Sequence, residues 1–264
     1  MDLEAHLANP AIRQRFVTTM FDVIAPRYDR FTRVFSLGMD AGWKRELLAE
    51  IPALVPPGGA ILDLACGTGD LTVGAAEAAP GARVTGLDAS PQMIVGARDR
   101  LANVRSDGRR ESGPPVPDDV HQRVEFLVGD MMGLPVPDAS IDVVTVGYGL
   151  RNVPDPTRAI GEIARVLRPD GRVLVLDFYL PESRAWRAIF LGYLRLAGDL
   201  VGWLWHREPV VYGYIASSIA RYVTAAEFRA MLARAGLPVE LERRKVLGGI
   251  CLHRARKTTL HDGE

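Results

Sequence analysis

The chain predicts an α/β protein built on a Rossmann-like, doubly wound, mostly parallel sheet of seven strands. Three observations carry that expectation. Short apolar runs alternate with helix-patterned segments from residue 60 to 178, the pattern that gives parallel strands joined by helical crossovers. The first run passes straight into Cys66-Gly67-Thr68-Gly69 and then into a helix start. The second run ends on an acid, Asp88, completing the first half of a nucleotide-binding βαβ unit.

Taken in order, helices are expected over 11–24 and 42–51, the second closed by Pro52 and the Pro56-Pro57-Gly58-Gly59 turn. Strand one covers 60–65 and its helix 70–79; strand two covers 83–87. Ser90-Pro91 then opens a helix to about residue 102 in the cap-then-proline order. Residues 103–122 hold two glycines, three prolines and scattered charges, a composition that buries little and predicts a mobile surface insertion. Strand three is 124–128; strand four, 141–146, is almost wholly apolar and β-branched, as a strand buried on both faces should be. A helix over 157–167 and strand five over 172–178 complete the alternation. A long helix (182–205), an irregular aromatic stretch (206–222), a helix (224–235) and two closing strands (238–243 and 249–254) follow. One domain is expected: an N-terminal helical region over 1–52 acting as a lid, a cofactor-binding core over 60–178, and substrate-side helices with closing strands over 182–254.

The turn after strand one discriminates among ligands. Dinucleotide sites want a third glycine where helix and strand pack closely, and that position holds Thr72. They also set pyrophosphate on the helix N-terminus, where Asp70 would repel it and could instead cap the helix. A ligand with a ribose and a cationic end but no phosphate fits better, and S-adenosylmethionine is that ligand. In an open parallel sheet the site lies beyond the carboxyl ends of the strands. Gly67 and Thr68 would approach the cofactor through the backbone, Asp88 would accept the ribose hydroxyls, and Asp130 would take the adenine amino group with Met131 against the ring. Gly147 would leave room beside the methionine part, and Asp63 would orient the glycine turn through backbone N–H groups. The plainer reading of acids at strand ends is that they cap turns.

Composition narrows the class. The 32 basic and 32 acidic residues cancel, so no global field gathers nucleic acid. Lysine supplies only Lys44, Lys245 and Lys257, an arginine excess that reads as genomic bias. Cys66 and Cys251 lie far apart and imply no disulfide framework; Cys66 reads as a small residue fitting a tight turn before it reads as a reactive thiol. Residues 1–16 lack the apolar stretch of a signal peptide. The most apolar segment, 185–205, is interrupted by Arg187, Arg195 and Asp199, too many charges for a membrane span. A cytoplasmic protein is expected, with the inner face of the membrane open to it as a peripheral site.

With these residues in hand, the chain resembles the ubiquinone/menaquinone-biosynthesis C-methyltransferases, which have the class I methyltransferase fold. Four segments carry the likeness: 20–29 (MFDVIAPRYD), 62–71 (LDLACGTGDL), 147–153 (GYGLRNV) and 247–250 (LGGI). The second is common to many methyltransferases; the first and third are far more specific, and their order spans nearly the whole chain. The resemblance implies a ring-carbon methyltransferase acting on a reduced polyprenylated quinone precursor, of the demethylmenaquinol or 2-polyprenyl-6-methoxy-1,4-benzoquinol type, with S-adenosylmethionine as cofactor and no metal. Arg151 would be the fixed positive partner of the substrate phenolate, directly or through water, with Asn152 and Tyr148 holding the ring; a structural turn ahead of Pro154 is the competing role. Tyr28 would close over the cofactor or merely pack its helix. Trp186, Ile189, Phe190, Leu194, Leu196, Leu200, Val201, Trp203 and Leu204 give an apolar surplus suited to a prenyl tail, a membrane surface, a second copy or simply the core.

Three departures from the family pattern stand out: the 103–122 insertion, the 206–209 segment HREP, and Tyr212-Gly213-Tyr214-Ile215 followed by Tyr222-Val223-Thr224, where relatives often show Tyr-x-Tyr-Leu and a Phe-Pro turn. The insertion sits away from the strand ends; the other two lie where substrate is expected to enter. Methylation of another small aromatic or polyketide-like molecule therefore stays open; a cofactor-binding, non-catalytic subunit of a quinone-synthesis complex is the rival from another class, and Gly67, Gly69, Asp88, Asp130 and Arg151 argue against it. An NAD-dependent dehydrogenase is disfavoured by Asp70 and Thr72.

Overall fold

The computed structural model describes residues 10–25, 28–107, 119–205 and 209–258. Helices α1 (Pro10–Ile24), α2 (Tyr28–Phe35) and α3 (Asp40–Glu50) precede the alternating core. The core runs β1 (Ala60–Leu64), α4 (Asp70–Ala78), β2 (Arg83–Asp88), α5 (Pro91–Asp107), α6 (Val120–Arg123), β3 (Val124–Val128), β4 (Ile141–Gly147), α7 (Pro156–Val166) and β5 (Leu167–Phe178). Then come α8 (Arg184–Trp205), α9 (Pro209–Ala220), α10 (Ala225–Arg234), β6 (Val239–Lys245) and β7 (Ile250–Arg256).

All seven strands form one sheet in the order β3-β2-β1-β4-β5-β7-β6. The first five pair in parallel, and β7 enters antiparallel between β5 and β6. The strand order reverses between β1 and β4, which opens a crevice above their carboxyl ends. Both faces of the central strands are covered. Leu62, Val144, Val146 and Val175 pack with Ile160 and Ile163 of α7 and Phe228 of α10. On the opposite face Ile61, Val84, Val143 and Leu176 meet Trp43 and Leu47 of α3 and Val73 of α4. That two-sided burial is why these strands carry continuous apolar runs.

Several expected boundaries move. The helix after Pro91 runs to Asp107, beyond 102, and a short helix forms over 120–123; the centre of the insertion, 108–118, lies outside the described residues, as does its expected mobility. A helix over 28–35 was not expected, yet Thr32 Oγ1 donates to the Tyr28 carbonyl (2.9 Å) within it. The stretch read as irregular over 206–222 holds a twelve-residue helix, α9. Pro209 stands at its start, where a missing N–H costs nothing, and Tyr214, Ala216 and Ile219 are buried along it. Packing against Phe190, Leu191 and Leu194 of α8 overrides the poor helix propensity of its glycine and β-branched residues. Thr224, by contrast, caps α10 as its sequence suggests, in a capping box with Glu227.

The apolar surplus of α8 divides. Phe190 and Leu194 are buried and Trp186 packs beside them, whereas Ile189 and Leu196 are exposed. The calls on Leu200, Val201, Trp203 and Leu204 lie outside the described side chains. Among the described residues no helix is long and apolar enough to cross a membrane.

Candidate active site

The cofactor turn is built from left-handed backbone. Ala65, Gly67 and Gly69 have φ of 53°, 55° and 81°, so the chain reverses sharply at the end of β1. At Gly69 a Cβ would come 2.8 Å from the Phe126 ring of β3; only glycine fits both the angle and the space. Asp88, at the end of β2, accepts from the Gly67 N–H (2.9 Å) through one oxygen and from the Ser90 N–H (2.8 Å) through the other. It thus ties the glycine turn to the start of α5. Burial pushes the Asp88 carboxyl up, while these backbone N–H bonds draw it back down. Each of its oxygens retains a second accepting direction. Asp130 likewise closes its own turn, accepting from Met132 N–H (2.9 Å). Both acids cap turns and both face one cavity, so the two readings of them coexist.

That cavity, open to solvent, spans about 650 Å³ above the crevice and is lined by Gly67, Asp88, Asp130, Met131 and Gly147 together with Tyr28 and, from α1, Gln14, Val17, Thr18 and Phe21. The missing side chain of Gly147 makes room for Leu71, whose Cδ1 lies 2.5 Å from where a Cβ would be, so it is the Gly147 backbone that faces the cavity. Thr68 is not on the cavity wall. Its hydroxyl donates to Asp29 (2.7 Å) and accepts from Arg100 (3.2 Å), and Arg100 also pairs with Asp29. Thr68 therefore fastens the segment after α1 onto the cofactor turn. Asp22 does the same at α5, accepting from the Ser90 hydroxyl (2.5 Å) and the Gln92 N–H (3.4 Å); the sequence signal was an acid opposite a Ser-Pro helix start, visible only once α1 is placed.

Beneath the turn, Asp63 is fully buried and accepts from the hydroxyls of Thr72 (2.6 Å) and Thr145 (2.7 Å), not from the backbone N–H groups expected of it. Burial pushes its carboxyl up to about 6 against the pull of those two hydroxyls. Thr72 can occupy the third-glycine position because the small residue has moved to the strand. A Cβ on Gly86 of β2 would lie 2.8 Å from Thr72 Oγ1. Asp70 begins α4 without capping it; its carboxylate pairs with Lys44 of α3 (3.1 Å) and keeps negative charge where a phosphate would otherwise sit.

A second cavity of about 630 Å³ adjoins the first and shares Phe21, Tyr28 and Tyr148 with it. Met20, Ile24, Trp43, Phe178, Tyr214 and Ile215 make it largely apolar, and Arg151 and Asp40 bring charge to its wall. Arg151 follows β4 on a 3₁₀ turn, Leu150–Asn152. Its Nη1 donates to Asp177 at the end of β5 (2.8 Å) and to the Tyr148 carbonyl (2.5 Å), and its backbone N–H donates to Asp177 (3.3 Å). The guanidinium also lies over the Phe178 ring, 5.2 Å from the centroid. Burial pushes Asp177 up and the arginine pulls it back; Arg151 stays a cation, held by that carboxylate. Its Nε is buried without a partner. Asn152 donates to the same Tyr148 carbonyl (3.0 Å) and accepts from the Tyr214 hydroxyl (3.0 Å). Tyr148 itself has φ 60°, an uncommon conformation for a bulky residue and one that clusters at functional sites.

Among the described residues one group of metal-type donors exists elsewhere. Glu242, Cys251 and His253 have ligand atoms within 4.8 Å of one another on β6 and β7. Arg244 (2.6 Å) and Arg229 (3.3 Å) already engage Glu242, and His253, pushed down to about 4 by burial, meets the Tyr179 hydroxyl (3.2 Å). Two guanidiniums beside the carboxylate make this a structural polar network at the sheet edge.

A seven-stranded sheet with an antiparallel β7, a glycine turn under a switch-point cavity and strand-end acids define a class I methyltransferase. The ubiE/COQ5 methyltransferase family model matches residues 10–257, and the chain belongs to that family. It is 38% identical over 223 residues to a demethylmenaquinone methyltransferase of Thermus thermophilus, covering 84% of this chain and 93% of that one. It is 30% identical over 242 residues to a ubiquinone/menaquinone biosynthesis C-methyltransferase of Geobacter sulfurreducens, covering 91% and 88%. Among solved structures, a putative methyltransferase complexed with the Haloferax volcanii Trm112 activator shares the fold at a TM-score of 0.61 and 22% identity, covering 90% of this chain and 98% of that one. The protein is an S-adenosylmethionine-dependent methyltransferase.

Proposed function

We propose that the protein methylates a ring carbon of a reduced, polyprenylated quinone precursor, of the demethylmenaquinol or 2-polyprenyl-6-methoxy-1,4-benzoquinol type. The observation that carries this reading is the pair of adjoining cavities that share Phe21, Tyr28 and Tyr148. In it, S-adenosylmethionine occupies the first cavity, with its ribose on Asp88, its adenine beside Asp130 and Met131, and its backbone contacts at Gly67 and Gly147. Its sulfonium methyl then points across the shared wall to an aromatic ring in the second. The names borne by the relatives, demethylmenaquinone and ubiquinone/menaquinone methyltransferases, support a quinol as that ring.

A ring carbon attacks a sulfonium methyl only when a neighbouring hydroxyl gives up its proton and pushes electron density into the ring. Arg151 would stabilise the resulting oxyanion, since it lines the second cavity and its guanidinium is fixed by Asp177 and the Tyr148 carbonyl. Pre-organisation of this kind lowers the barrier because no side chain reorients during reaction. Tyr28 closes the shared wall from α2, edge-on to Phe21 at 6.1 Å. The prenyl tail leaves toward Met20, Ile24 and Ile215. Exposed Ile189 and Leu196 on α8 suit a peripheral position on the membrane that holds such a substrate, which co-sedimentation with anionic liposomes checks.

A second reading, methylation of a small aromatic molecule without a tail, is favoured by one observation: Tyr214 and Ile215, from the stretch that departs from the family pattern, line the substrate cavity. One assay separates the two. Methyl-labelled S-adenosylmethionine is offered with reduced demethylmenaquinone, its oxidised form and a tail-less naphthohydroquinone. The proposal expects label on a ring carbon of the reduced prenylated substrate alone; label on oxygen, or transfer only to the tail-less phenol, contradicts it.

A further inference from the structure

Methylating a ring carbon of a quinol sets one proton free for each methyl delivered, and the substrate hydroxyl must lose its proton before attack. The reading of the site given above leaves that acceptor unassigned. Arg151 cannot serve, being permanently protonated and already paired with Asp177. Asp88 and Asp130 line the other cavity. Burial raises the Tyr148 phenol well above its ordinary value, which makes its anion inaccessible. Among the described residues on the wall of the second cavity, Asp40 is the single carboxylate.

Resting on that reading, we propose that Asp40 is the general base that takes the quinol proton. Asp40 opens α3, where the free N–H groups of the first turn favour a negative charge. It is 8% exposed, in a largely apolar wall, so little water competes for its oxygens. Ser36 fixes its orientation: the Ser36 hydroxyl donates to Oδ1 (2.9 Å) and accepts from the Asp40 N–H (3.4 Å). The charged and titratable groups around it come from every side. Lys44, one turn on in α3, approaches Oδ2 (3.4 Å) and is shared with Asp70 of α4 (3.1 Å). Tyr28 of α2, Tyr148 and Arg151 beyond β4, and Tyr214 of α9 face the same cavity. Lys44 is thus divided between two carboxylates, and Arg100 of α5 also approaches Asp70 (3.8 Å).

The step balances as follows. The Asp40 carboxylate takes the hydroxyl proton; the oxygen pair moves into the ring; the ortho carbon forms its bond to the methyl; the sulfur–methyl bond breaks and its pair returns to a neutral thioether. The ring carbon then loses its hydrogen as a proton to water, and the carboxylic acid of Asp40 returns its proton to the oxygen as aromaticity is restored. One proton leaves and the sulfonium charge disappears.

The test compares wild type, Asp40→Asn and Asp40→Ala, each with reduced demethylmenaquinone and S-adenosylmethionine, alongside titration with S-adenosylhomocysteine. The proposal expects Asp40→Asn to lower kcat by about 10²- to 10⁴-fold while S-adenosylhomocysteine binds unchanged, and formate to restore part of the activity of Asp40→Ala while leaving wild type unaffected. A freely active Asp40→Asn, or an inactive but cofactor-binding Asp40→Ala that formate does not rescue, overturns it. If neither variant folds, Asp40→Ser decides: a kcat lowered by about 10²-fold or more and partly restored by formate supports the base, and a wild-type kcat without formate, or an inactive variant that formate does not restore, refutes it. A wild type that methylates no quinol sinks the proposed function and the base together, whereas an active wild type beside an equally active Asp40→Asn sinks the base alone.

Discussion

The Arg151 guanidinium reaches back 2.5 Å to the carbonyl of Tyr148, the residue whose left-handed φ of 60° turns the chain out of β4 and between the two cavities. A bulky residue in that conformation is strained by about 1–2 kcal/mol, and it persists because Arg151, Asn152 and the Leu176 carbonyl bind its backbone on both sides. The arginine thus has a structural part and a place on the substrate wall at once.

Removing Arg151 strands the fully buried Asp177. Arg151→Ala is expected to lose about 3–5 kcal/mol of stability, and Arg151→Ala/Asp177→Asn to lose less than the two single changes added together. Denaturant unfolding of the three variants measures this. Strict additivity would mean the pair does not act as a unit.

Gly86 and Thr72 hold α4 against β2. In Gly86→Ala the new Cβ meets Thr72 Oγ1 at 2.8 Å and the Phe126 ring at 2.7 Å, overpacking that costs about 1–3 kcal/mol. Adding Thr72→Ala removes the hydroxyl contact but leaves Asp63 one donor short, so only part of the loss returns.

 The carboxylate of Asp63 then keeps the Thr145 hydroxyl alone. Thermal melting of the single and double variants checks the order: Gly86→Ala below wild type, the pair no better than intermediate.

Asp63 makes stability depend on pH in an uncommon direction. Its carboxyl is pushed from 3.8 up to about 6 in the folded chain, so between those values the folded protein binds more protons than the unfolded one. Stability therefore falls as pH rises through this window, and the loss is complete above it, at about 3 kcal/mol. Asp63→Asn removes the titration. The difference in stability between the variant and its parent should shift in the variant's favour from about pH 4 to about pH 7; a difference that stays flat contradicts the assignment.

Asp88 anchors the cofactor turn through Gly67 and Ser90. Asp88→Ala leaves both N–H groups without their acceptor and removes the partner proposed for the ribose, so affinity for S-adenosylhomocysteine should drop by about 10- to 100-fold. Thr68→Val, which touches the fastening to Asp29 and Arg100 and not the cavity wall, should cost much less. Calorimetric titration ranks the two, and an equal loss in both would move the ribose away from Asp88.

The alternation of strands and helices was legible because strands buried on both faces must be apolar throughout, as 141–146 is, and because Gly67, Gly69 and Pro91 punctuate the chain at positions that demand them. That Asp88, Asp130, Met131 and Gly147 share one place was legible from topology, since strand ends converge at the switch point, and the structure brings all four to one cavity. Helix α9 was not legible. Its Tyr-Gly-Tyr-Ile run has no strong helix propensity, and only burial against α8 makes it helical. The roles of Asp22, Thr68 and Asp40 were hidden for another reason. Each acts between α1–α3 and the core, across a distance in sequence that no local pattern encodes.

The most direct test of the account is a crystal structure with S-adenosylhomocysteine and a quinol analogue bound together. The account predicts the thioether sulfur beside Tyr28 and Tyr148, the ribose on Asp88, and the ring in the second cavity with one oxygen within reach of Arg151. A cofactor lodged away from the Gly67 turn, or a ring bound anywhere but across that shared wall, would contradict it.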